Sequence, residues 1–96
     1  MNRADNRRVS QAFDLLKPYS YDPTADYPPS VADLRMSIEE ILATLAGRSD
    51  RDVARNEQTR EQVIRSLIEV ESDPCADADM RAAIRSSVIL LQQIGD

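Results

Sequence analysis

Carboxylates are the most numerous ionisable groups in this chain, and several come in close pairs: Glu39 with Glu40, Asp50 with Asp52 and Asp77 with Asp79. Two neighbouring carboxylates can share a Mg²⁺ ion or divide the work of general acid and general base. Their positions argue for a plainer use. The aspartate pairs fall at the expected starts of helices, where they cap free N–H groups and meet the positive end of the helix dipole. Glu39 and Glu40 lie on the polar side of an amphipathic stretch. The sequence contains no histidine, and hence no imidazole base, no His-based triad and no His metal ligand. Its one cysteine, Cys75, permits neither an internal disulfide nor a Cys-rich zinc site. A reactive thiolate wants a basic partner, and none is near it in sequence, so Cys75 reads as buried or incidental. No catalytic, cofactor-binding or metal-binding residue is assigned on these grounds, and a non-enzymatic protein is expected.

Recognition chemistry is better represented than catalysis. All three tyrosines, Tyr19, Tyr21 and Tyr27, fall within residues 18–29, together with four of the five prolines. Tyrosine offers a large apolar ring and a polar tip, which suits a binding surface and equally suits a cover laid over a small core. Both readings stand at this point. Arg51, Arg55 and Arg60 alternate with acidic residues on a polar stretch, and arginine is enriched at interfaces. Ala43, Gly47, Ser49 and Val53 also echo the small, turn, cap and apolar positions of a helix-turn-helix, with Arg51 and Arg55 early on a recognition helix. The echo is broken by Arg48, which stands where an apolar residue should follow the glycine, and by Asn56, which stands where the second helix should pack inward. Five arginines against six carboxylates over residues 48–72 leave no basic stripe for DNA.

The whole chain is acidic, with a net charge of −5 over 96 residues. Phosphate backbones would repel it, so no nucleic acid is expected as a partner. The longest apolar run, 88–91, is far short of the ~20 residues of a membrane span. The arginines near the N-terminus are followed by no apolar stretch of a secretory signal. With a lone cysteine, this points to the cytoplasm. Eleven of the twelve basic residues are arginine, a skew that suggests a GC-rich bacterial or phage genome.

Four helical stretches must position these groups. In the first, 3–17, Val9, Ala12, Phe13 and Leu16 recur at helical spacing, and Pro18 stops it. The second is expected to be capped by Ser30 and to end at Gly47, with Val31, Leu34, Ile38, Ile41, Leu42 and Leu45 along one seam. The third is expected from Ser49 or Asp50 to about Ser72. It is polar over residues 55–62 and apolar again at Val63, Ile64, Leu67, Ile68 and Val70. The fourth is expected to start at Asp73 as N-cap with Pro74 behind it and to close at Gly95. Met80, Ile84, Val88 and Leu91 form its main stripe, and Ala83, Leu90 and Ile94 an adjacent one.

The expected fold is all-α: one domain over residues 1–96, a small four-helix bundle with a long Pro/Tyr-rich connection between the first and second helices. Only two glycines are present, too few for the turns of an all-β chain. The expected core is Val9, Phe13, Leu16, Leu34, Ile38, Ile41, Leu45, Ile64, Leu67, Met80, Ile84, Val88 and Leu91. The fourth helix is apolar on more than one side, so Ile89, Leu90 and Ile94 are expected to make a self-association surface, most simply of a homodimer. The function expected from all this is a cytosolic protein–protein interaction module. It would be a small adaptor, regulator or inhibitor of a larger bacterial or phage-targeted machine, binding through Tyr19, Tyr21, Tyr27, Arg51, Arg55 and Arg60. The alternative is a helix-turn-helix-like DNA-binding regulator that uses the third helix.

Overall fold

The computed structural model describes residues 3–46 and 56–94. Among these there are four α-helices, one 3-10 turn and no strand. Helix α1 spans Arg3–Leu16 and runs into the 3-10 turn Lys17–Tyr19. Helix α2 spans Pro29–Ala46, α3 spans Glu57–Glu71 and α4 spans Ala78–Gln92. The chain is all-α, as its 3.6-residue periodicity predicts.

Helix starts are where sequence and structure differ most. Helix α2 begins with Pro29, and the Pro28 carbonyl accepts from the Ala32 amide at 2.9 Å. A proline in the first helical position loses no hydrogen bond, so Ser30 falls inside the helix and not at its cap. Asn56 has extended backbone (φ −97°, ψ 93°), and its side chain accepts from the Thr59 amide at 3.0 Å. That cap starts α3 at Glu57, well after Ser49 or Asp50, which lie outside the described residues. At the next connection Asp73 caps no helix. Its carboxylate accepts from the Cys75 amide at 2.8 Å, and its carbonyl accepts from the Ala76 amide. This tight turn drops Ala76 into the core, and α4 starts afresh with Asp77, whose carboxylate accepts from the Met80 amide at 2.8 Å. Both residues can cap, and the burial of Ala76 between them selects the second. Gly47 and Gly95 lie outside the described residues.

One apolar cluster draws on all four helices. Eleven of the residues expected in the core are buried, while Phe13 and Ile64 pack half-buried against it. Ala12, Leu42, Val63, Val70, Ala76 and Ile94 complete the cluster. Thr59, within the polar stretch 55–62 that reads as a solvated or partner-facing extension, is also buried.

Helix α4 packs most extensively on α1 and next on α3, while α2 packs on α3 and α1. This accounts for the breadth of its apolar surface: one stripe faces α1 and the adjacent one faces α3. Arg8 Nη1 of α1 lies 3.4 Å from the Gln93 carbonyl, and Ser87 Oγ of α4 lies 3.4 Å from the Ala12 carbonyl, so the two helices are antiparallel. Ala12 and Ser87 are fully buried and Ala83 nearly so. Small side chains at this crossing let the backbones approach closely.

Candidate binding surface

The tyrosines occupy the connection between α1 and α2. Tyr19 ends the 3-10 turn and packs half-buried against the core. Tyr21 and Tyr27 stand together, ring centroids 6.0 Å apart and planes tilted by 49°, an arrangement favoured by the ring quadrupoles. The guanidinium of Arg35, from the second turn of α2, lies 4.6 Å above the Tyr27 ring. Its Nη1 donates to the Ser20 carbonyl at 3.3 Å and comes within 3.5 Å of the Pro18 carbonyl. Arg35 therefore ties both ends of the tyrosine segment to α2. Its Nε is buried without a hydrogen-bond partner, so part of the gain is offset by desolvation.

A second device shapes the tip of the segment. Asp22 accepts from the Thr24 hydroxyl at 2.7 Å and from the Thr24 amide at 2.9 Å. These bonds, the hydroxyl's foremost, hold its carboxyl below the usual aspartate range, with a smaller contribution from the charge of Arg35. The turn is thus at full strength above the ordinary aspartate pKa. It weakens only as pH falls through the lower, folded value.

Arg35 was not among the residues that the sequence pattern singled out. The available signal was its position next to Leu34 on the most apolar helix, one residue off the seam. Removing it tests the arrangement. Arg35→Ala is expected to lose about 1–2 kcal/mol, from the cation–π contact and the carbonyl bonds. The tyrosine near-ultraviolet dichroism should collapse towards that of the unfolded chain, and Arg35→Lys should recover part of it. An unchanged dichroism spectrum in Arg35→Ala would show that the rings hold their places without it.

The other expected site residues are not brought to this surface. Arg51 and Arg55 lie outside the described residues. Arg60 is half-buried in the first turn of α3. The short connection 72–77 and the Arg85–Glu71 ion pair make α3 and α4 antiparallel. The start of α3 therefore lies towards the end of α4, at the opposite end of the helices from the tyrosines. Of the apolar trio expected on the fourth helix, Ile94 lies just past the end of α4 and is buried at 5% exposure, and Leu90 is half-buried against the core, which removes both from any broad exposed patch. Ile89 remains, 54% exposed. A second isoleucine, Ile68, expected on the apolar face of the third helix, is exposed as well. Ile68 is one turn back from Glu71 on α3, and Ile89 is one turn on from Arg85 on α4. Ile68 is 45% exposed, and both isoleucines lie one turn from a member of the Arg85–Glu71 ion pair that joins α3 to α4.

Among the paired carboxylates, Asp77 is engaged as a cap, Asp79 sits in the first turn of α4, and Glu39 and Glu40 are exposed on α2. Asp50 and Asp52 lie outside the described residues. Cys75 is exposed in the turn before α4. Among the described residues no three His, Cys, Asp or Glu side chains are grouped to hold a metal ion, and no helix is long and apolar enough to cross a membrane. No family model, curated protein or solved structure matches the chain.

Proposed function

We propose that this chain is a non-enzymatic, cytosolic protein–protein interaction module. It is read as a small four-helix bundle whose long Pro/Tyr-rich connection meets a partner, acting as an adaptor, regulator or inhibitor of a larger bacterial or phage-targeted machine. The observation that carries this reading is the Tyr21–Tyr27 pair held by Arg35. Rigid aromatic rings on an irregular segment lose little conformational entropy on binding, and Tyr and Arg are the commonest interface anchors. The test compares the partner retained by the wild-type chain with that retained by Tyr21→Ser/Tyr27→Ser at unchanged helical dichroism. A specific partner lost only in the variant is expected. Retention by both proteins would move the contact away from the loop. Duplex DNA bound at nanomolar concentration and physiological salt, and lost on Arg51→Ala or Arg55→Ala, would replace this reading with the DNA-binding regulator.

Self-association belongs to the same proposal. Its centre is Ile89 with Ile68, and a two-fold contact would cover both residues in both copies. Sedimentation at tens of micromolar should give a dimer of the 10.8 kDa chain that dissociates in Ile89→Asp. A monomer in the wild type, with Ile89→Asp sedimenting identically, would remove the dimer.

A further inference from the structure

A groove of about 450 Å³ lies where the end of α1 meets the start of α4. Its apolar lining includes Leu15, Pro18, Tyr19 and Ala83, and its charged lining is Asp14 and Asp79. No basic residue lines it. Among the described residues neither carboxylate is in an ion pair. Leu15 is one of the few large apolar side chains left in contact with water, at 38% exposure.

The position of Asp14 is the informative feature. It lies in the last turn of α1, and the nearest cation in sequence, Lys17 in the 3-10 turn that continues the helix, does not line the groove. The carbonyl end of a helix carries negative partial charge, so a carboxylate there is unfavourable and a cation favourable. Asp79 sits at the opposite kind of end, in the first turn of α4, where the dipole offsets its charge. The groove thus joins two carboxylates, neither of them in an ion pair among the described residues, to an apolar wall with one aromatic ring. That combination complements an arginine side chain, whose stem is apolar and whose planar head binds carboxylates and stacks on aromatic faces.

We propose that this groove docks an exposed arginine of a partner protein, its stem on Leu15, Pro18 and Tyr19 and its guanidinium at Asp14 and Asp79. This rests on the reading of the chain as an interaction module and adds the chemistry of the partner. Tyr19 would then serve the groove, while Tyr21 and Tyr27 present a neighbouring surface.

The test titrates the full chain at low salt with acetyl-Gly-Leu-Arg-Leu-Gly-amide and follows backbone amides by NMR. The control peptide carries citrulline, which keeps the shape of arginine without its charge. Saturable shifts are expected at Leu15, Tyr19, Asp79 and Ala83. Binding should be about tenfold weaker for the citrulline peptide and for Asp14→Asn, and should weaken with added salt. Asp14→Asn should melt close to the wild type, since Asp14 is exposed and in no ion pair among the described residues. Equal binding of both peptides, or binding unchanged in Asp14→Asn, would overturn the proposal. Shifts confined to Tyr21, Tyr27 and Arg35 would overturn the groove and leave the interaction module standing. So would no shift with either peptide while a partner is still captured through Tyr21 and Tyr27.

Discussion

Leu67→Ala is expected to destabilise the protein by about 2–5 kcal/mol in urea unfolding. Leu67 is fully buried near the middle of α3, within the cluster that all four helices share. Truncation removes the transfer free energy of the lost methyl groups and leaves a cavity that rigid neighbouring helices close only in part. The loss is a large part of the ~5–15 kcal/mol that holds a typical domain together, and a short chain sits towards the low end. Ile41→Ala, on α2 at 6% exposure, should fall in the same range. The next residue along α3 supplies the contrast. Ile68 is exposed, and Ile68→Ala should cost no more than about 0.5 kcal/mol. A loss below that figure at both Leu67 and Ile41 would mean that the shared cluster does not hold the helices together.

The second large effect is expected at Ser87, where the chemistry is steric. Ser87 is fully buried on α4, facing α1. Its hydroxyl donates to the Ala83 carbonyl at 2.9 Å, one turn back on its own helix. The Ala83 carbonyl sits within α4, so deleting the hydroxyl leaves no strongly unsatisfied group. Ser87→Ala should therefore change stability by less than about 1 kcal/mol. Ser87→Leu must place two further heavy atoms, on a branched side chain, between helices that meet through Ala12 and Ala83, and should cost about 1–3 kcal/mol or more. Thermal melts of the two variants decide the matter. Equal midpoints would mean that α1 and α4 have room to spare at this crossing.

Arg35 and Ser87 show two different ways in which a residue escapes a reading of the chain alone. Helical periodicity separates apolar from polar positions, and by that measure Arg35 is a surface residue and Ser87 a gap between stripes. Arg35 acquires its role because Tyr27 and Ser20 reach it from 8 and 15 positions away. Ser87 acquires its role from Ala12, 75 positions away. Ile94 and Ile89 make the same point with opposite outcomes. Both looked surplus on α4, yet Ile94 joins the cluster and Ile89 faces out.

Local physics is enough to specify the all-α class, the end of α1 before Pro18 and the inward stripes of the helices. Proline's missing N–H and the 3.6-residue repeat act within a few neighbours, so they can be read from the chain itself. The choice of Asp77 over Asp73 as a cap, the pinning of the tyrosines by Arg35 and the exposure of Ile68 and Ile89 could not be read this way. Each depends on the free energy of groups distant in sequence, such as Ala76 entering the core, a cation finding a ring or two helices setting their register. A one-dimensional pattern carries no record of which distant surfaces will meet.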